Sequence, residues 1–174
     1  MSADPAAGAT VTVLPDGAVL RPALPHDVPQ LLERIRDLAR YEREPDAVRT
    51  SAEELRAALF GPAPAVFAHV VEREAAVQGA AIWFLNYSTW TGRHGIYLED
   101  LFVVPAARGA GYGRALLREL ARICLARGYT RLDWSVLDWN EPSIGFYRSL
   151  GAEQMAGWLP YRLSGPALEA LAQG

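Results

Sequence analysis

Arg108-Gly109-Ala110-Gly111-Tyr112-Gly113-Arg114 sets three glycines and two arginines between two segments of opposite periodicity. Upstream, the apolar run Ile96–Val104 reads as a strand. Downstream, Leu116, Leu117, Leu120, Ile123 and Cys124 recur at helical spacing. A strand, a glycine loop and a helix in that order can cradle a phosphate. Glycines let successive backbone N–H groups converge on an anion, and the helix N-terminus adds partial positive charge. The expected ligand carries a phosphate or pyrophosphate.

Two common phosphate sites do not fit. A dinucleotide fingerprint needs G-x-G-x-x-G early in a βαβ unit, with an acidic residue about 20 positions on. Here the order is R-x-x-G-x-G, deep in the chain. A P-loop needs a lysine, and all 17 basic residues of this chain are arginine. The same absence removes pyridoxal-phosphate Schiff-base chemistry.

R-x-x-G-x-G/A between a strand and a helix resembles the GCN5-related N-acetyltransferases. Several further segments resemble that family's diamine (spermidine/spermine, thialysine) N-acetyltransferase branch. They are Arg21-Pro-Ala23, Leu38-Ala-Arg-Tyr-Glu42, Tyr87-Ser-Thr-Trp90, Tyr97-Leu-Glu-Asp-Leu-Phe-Val103, Asp138-Trp-Asn-Glu-Pro-Ser143 and Phe146-Tyr147. The match is collinear over residues 19 to 165.

The resemblance implies an α/β fold: a mostly antiparallel mixed sheet of about seven strands, helices on both faces, and splayed strands forming an acetyl-CoA cleft. It also implies a homodimer. The coenzyme would lie along Leu101, Phe102 and Val103, on the cradle Arg108–Arg114, and against Asn140, Ser143 and Tyr147. Asn140, Ser143 and Tyr147 stand three and four residues apart and share one helix face. By resemblance Tyr147 protonates the departing thiolate; taken alone it also reads as a half-buried core tyrosine.

A primary amine with a pKa near 10.4 is neutral in only about one molecule per thousand at pH 7, so attack on a thioester needs a proton acceptor. Glu99 and Asp100 are adjacent on a strand, and alternation lets only one face the substrate. The resemblance favours Glu99, taking the proton through water, with Asp100 on the other side. Tyr41, Glu42, Trp90, Asp133, Trp134 and Ser135 match the branch's acceptor-side positions. The departure lies in Met155-Ala-Gly-Trp-Leu-Pro-Tyr-Arg162, where no carboxylate stands between Glu153 and Arg162. A clamp for a second ammonium group is absent there. The expected acceptor is a polyamine or diamine or a lysine-like amino acid. The missing clamp counts against spermidine and spermine and leaves room for lysine-like amino acids, short diamines or another amine.

Composition agrees. The chain has 174 residues, 51% of them hydrophobic and 21% charged, enough for one domain with a sizeable core. A net charge of −3 gives no general attraction to nucleic acid or anionic membrane and mildly favours cationic substrates. One cysteine excludes an internal disulfide and fits a reducing compartment, the cytoplasm. His26, His69 and His94 lack metal-ligand spacing, so no metal is expected. Residues 1–17 read as a loose tail before a single domain over 18–174. Rival readings are acetylation of a protein, peptide or antibiotic amine, and a coenzyme sensor without catalysis.

The expected elements begin with a strand at Val19–Arg21. A helix capped by Asp27 carries Val28, Leu31, Leu32, Ile35, Leu38 and Ala39 on one side. A second helix with a Ser51/Glu54 capping box runs to about Phe60. Val66–Val71 and Val77–Tyr87 form a hairpin turning near Glu74. Strand Ile96–Val104, helix 113–127 closed by Gly128, and strand Arg131–Leu137 follow. The chain ends with a short helix from Glu141 to about Leu150 and two short strands flanking Gly157.

Overall fold

A computed structural model describes residues 10–174. The chain divides into two compact units, the first running to Ser135 and the second Val136–Gly174. The first is a six-stranded sheet in the order β1-β2-β3-β4-β5-β6. The strands are β1 Thr12–Val13, β2 Val19–Pro22, β3 Phe67–Arg73, β4 Ala76–Ser88, β5 Arg93–Val103 and β6 Leu132–Trp134. All neighbours are antiparallel except β5 and β6, which run parallel. Among the described residues six strands stand where about seven were expected.

Helices α1 (Val28–Tyr41) and α2 (Ala52–Phe60) pack on one face. There Val28, Leu31, Leu32, Leu55 and Leu59 meet Ala68, Val70, Val77, Ala80 and Ile82 of the sheet. Because side chains alternate along β3, the intervening His69 and Val71 point to the opposite face. That face is covered by α3 (Tyr112–Arg127), which buries Leu116, Leu117, Leu120, Ile123 and Cys124. His69 is fully buried there and accepts a hydrogen bond at Nδ1 from Trp83 Nε1 (3.1 Å). Burial pulls its imidazole down to about 4, so it stays neutral.

Most local expectations hold, with instructive differences. Ser51 Oγ accepts from Glu54 N (3.1 Å) and Glu54 Oε2 accepts from Ser51 N (2.8 Å), closing the capping box of α2. Asp27 does not cap α1 through its side chain. Its carboxylate instead accepts from Leu24 N (2.7 Å) and pairs with Arg21 Nη1 (2.6 Å), tying the helix entry to β2. The Glu74-Ala75 turn puts both residues at positive φ, 53° and 59°, closing a tight hairpin. Gly128 at φ 66° ends α3. Strand β5 begins at Arg93, three residues ahead of the apolar run, because polar Arg93 and His94 still pair with Ser88 and Tyr87. Strand β6 ends at Trp134, short of Leu137. Of the tail expected over 1–17, residues 1–9 lie outside the described residues. Thr12–Val13 pairs with Val19 and Leu20 as an edge strand.

The second unit holds α4 (Glu141–Arg148) and α5 (Pro166–Gln173). Strands flanking Gly157 are not formed: Met155–Leu163 runs without a strand, and Trp158, Leu159 and Tyr161 are exposed. An aromatic-rich segment becomes a strand only against a partner edge, and this unit supplies none among the described residues. Helix α5 was not expected, although Pro166 at its first turn and Leu168 and Leu171 three residues apart are its signals.

Candidate active site

The cradle takes shape because Gly109 and Gly111 sit at φ 88° and 86°. A Cβ at either would meet no atom within 4 Å, so these glycines serve backbone conformation and not packing. Gly111 is the N-cap of α3 and offers no side-chain oxygen to the helix. The first bond inside the helix runs from Ala115 N–H to Gly111 O (2.9 Å). The amides ahead of it, Tyr112 and Gly113 among them, meet no carbonyl of their own helix. Together with the helix dipole they fit an anion such as a diphosphate. Beside the cradle opens a cleft of about 330 Å³, lined by Arg73, Gln78, Ala107, Arg108, Ala110 and Tyr112.

Arg108 is exposed, yet fixed. Its Nε donates to Val103 O (3.3 Å), and its guanidinium carbon lies 5.1 Å from the Tyr41 ring centre and 5.9 Å from that of Phe102. The cradle is thereby joined to the end of α1, where Tyr41 is the last helical residue and Glu42 follows.

On β5, Ile82 of β4 opposes Asp100 and Trp83 opposes Leu98, so Glu99 opposes no residue. This β-bulge breaks strict alternation, so Leu98 and Asp100 lie on opposite faces although they are two residues apart. Directly opposed residues share a face. Ile82 belongs to the α1/α2 core, so Asp100 stands on the α1 side, near Glu42. Leu98 shares the α3 side with Trp83, and Leu101 opposes Ala81 on that side. Glu99 therefore occupies the extra position between them and is exposed. Asp100 is half-buried, and burial, reinforced by the charges of Glu99 and Glu42, holds its carboxyl up at about 6. Burial also raises Glu42. Strand β6 pairs only with Ile96, Tyr97 and Leu98. From Glu99 to Val103 the β6 side of β5 thus has no pairing strand among the described residues, and Leu101, Phe102 and Val103 lie along that edge.

The remaining expected residues are dispersed or engaged. The Asp133 carboxylate accepts from Asn86 Nδ2 (2.8 Å) and pairs with Arg131 Nε (2.8 Å). Ser135 Oγ and Tyr97 Oη share a hydrogen bond (2.9 Å). Trp134 is half-buried on β6. Trp90, 88% exposed, lies at the turn of the β4–β5 hairpin, the far end of β5 from the cradle. Within the second unit, Asn140 Oδ1 accepts from Ser143 N (3.3 Å) and caps α4. Tyr147 lies on that helix with its ring 5.4 Å from that of Phe146. Sequence reasoning missed Asp16 and Arg73, which gather at the start of α3. Neither belongs to a motif, and only long-range pairing brings them there.

An open glycine-bounded helix start beside a short parallel strand pair suits an anionic cosubstrate, and the similarity to known proteins supplies the class: the chain is an N-acetyltransferase. Residues 29–152 match the acetyltransferase (GNAT) family, and the chain belongs to it. It is 38% identical over 165 residues to the thialysine N-epsilon-acetyltransferase of Bos taurus, covering 88% of this chain and 96% of the bovine protein. Over 95 residues it is 37% identical to the L-ornithine N5-acetyltransferase of Arabidopsis thaliana, covering 55% of this chain and 42% of that one. Among solved structures, an integron cassette protein from the mobile metagenome of V. cholerae superposes with a TM-score of 0.77 at 27% identity. That superposition covers 90% of this chain and 98% of the other.

Proposed function

We propose that the enzyme moves an acetyl group from acetyl-CoA to the primary amine of a small molecule, a diamine or polyamine or a lysine-like amino acid, by direct attack in a ternary complex. The observation that carries this reading is the open start of α3, whose amides are left for an external anion. The coenzyme diphosphate sits there, and the rest of the coenzyme follows the open edge of β5. The amine nitrogen attacks the thioester carbon as the C–S bond breaks. Glu99 accepts the amine proton through water, and Tyr147 donates a proton to the sulfur. Asp100 and Glu42 hold the cationic remainder of the amine. A lysine-like acceptor is favoured over spermidine or spermine. No carboxylate stands between Glu153 and Arg162, and the relatives named above act on thialysine and ornithine. The enzyme works without a metal, in the cytoplasm and as a homodimer.

Calorimetric titration with acetyl-CoA, followed by release of CoA thiol across a panel of lysine analogues, diamines, polyamines, aminoglycosides and peptide N-termini, tests this. Saturable binding and turnover on the lysine analogues or diamines supports it. Absence of binding overturns it, and binding without turnover on any amine makes the chain a coenzyme sensor.

A further inference from the structure

Among the residues of the cradle, Tyr112 is the buried one. It is 2% exposed, whereas Arg108, Gly109, Ala110 and Gly111 all lie open to solvent. A loop with two glycines in the left-handed region has a large conformational choice, and its grip on an anion depends on where its ends are fixed. The strand end is fixed by Arg108 against Val103 O. The helix end is fixed by Tyr112, whose phenol reaches out of α3 to a segment 96 residues earlier, donating to Asp16 Oδ2 at 2.5 Å.

Asp16 is itself well anchored. It lies in the turn between β1 and β2, where Leu14 N–H bonds Ala18 O (2.8 Å) and Gly17 takes φ 83°. Its other oxygen accepts from Ala18 N (3.2 Å). Arg73, at the end of β3, stands 3.5 Å from Asp16 Oδ2 and also engages the phenol oxygen. The start of α3 is thus bolted to two strands on the side of the sheet away from β5. Arg73 and Tyr112 also line the cleft beside the cradle.

We propose that Asp16 and the Tyr112 phenol are positioning residues for coenzyme binding: their hydrogen bond sets the pitch of the first turn of α3, and with it the amides that hold the diphosphate. This rests on the coenzyme reading given above. It assigns a task to a turn that lies ahead of residues 29–152, the stretch matching the family.

The experiment compares native enzyme, Tyr112→Phe, Asp16→Ala, the double variant and Asp16→Asn by calorimetric titration with acetyl-CoA, steady-state kinetics and thermal unfolding without coenzyme. Tyr112→Phe keeps the ring and loses only the bond. Each single variant should raise the acetyl-CoA Kd about fivefold, with kcat at saturation changed less than about twofold. The double should be no weaker than the larger single, because both remove one bond. Asp16→Asn keeps one acceptor oxygen but loses either the phenol or the Ala18 N–H bond, together with the Arg73 ion pair. Its Kd should therefore fall between native and Asp16→Ala. An unchanged Kd in Tyr112→Phe, additive effects in the double, or a lowered melting temperature with unaltered Kd overturns the proposal. If native enzyme itself shows no acetyl-CoA binding, the coenzyme reading falls and this proposal falls with it.

Discussion

The start of α3 and the end of α1 adjoin through Arg108, which stacks on Tyr41, yet they are built as electrical opposites. At the start of α3 the positive end of the helix dipole coincides with unspent amides and two arginines. At the end of α1 the negative end of the dipole coincides with Glu42, and Asp100 of β5 lies close enough to feel its charge. One end suits an anionic coenzyme and the other a cationic amine. The two substrates of an acetyl transfer can therefore be sorted by charge before any chemistry occurs.

Both ends concern binding, so the chemical step should be separable from them. Tyr147→Phe should lower kcat about a hundredfold while leaving the acetyl-CoA Kd and the amine KM within about twofold. Rapid-quench turnover alongside titration checks this, and equal losses in kcat and binding would merge what the comparison separates. Gly111→Ala comes next. A Cβ meets no atom there, but a non-glycine residue at φ 86° costs about 1–2 kcal/mol, so acetyl-CoA should bind about 5- to 30-fold more weakly. The amine KM, measured at saturating acetyl-CoA, should not move.

The third test uses pH. With its carboxyl near 6, Asp100 is about nine-tenths ionised at pH 7 and about one-tenth at pH 5. The amine KM should rise about tenfold over that interval, and Asp100→Asn should flatten the rise. Stability carries the opposite sign. The folded carboxyl sits above its unfolded value of about 3.9, so the native state holds the extra proton between about pH 4 and 6. Asp100 therefore costs stability as pH rises through that window. A urea midpoint that falls across it in native enzyme, and does so less in Asp100→Asn, is the corresponding observation.

The two ends differed in how far they could be read from sequence. The cradle was legible because its information is local: glycines, a preceding strand and a following apolar stripe occupy one stretch of chain. The Ser51/Glu54 capping box and the β3–β4 hairpin were legible for the same reason. The acidic end was half-legible. Glu42, Glu99 and Asp100 were singled out, but the bulge at Glu99 was not foreseen, because it exists only in the pairing with β4. Asp16 was placed in a loose tail, since nothing near it in sequence announces a tyrosine 96 residues away. At the other end of the chain, Trp158 and Tyr161 suggested strands that a partner edge would have to complete.

The smallest effect tests the comparison from its weaker side. Glu42 is partly exposed and its carboxyl is raised by burial alone, so water shares in screening it. Glu42→Gln should raise the amine KM only about threefold, yet the loss should depend on the acceptor's charge. It should be full for a diamine or lysine analogue that carries a second ammonium group, and nil for a monoamine of the same length. The acetyl-CoA Kd should tighten slightly or stay level, because the substitution removes a negative charge at the residue after Tyr41, over whose ring the Arg108 guanidinium lies. A weaker coenzyme Kd in Glu42→Gln would mean that the Tyr41–Arg108 stack couples the two ends structurally. Charge alone would then no longer account for the division of labour between them.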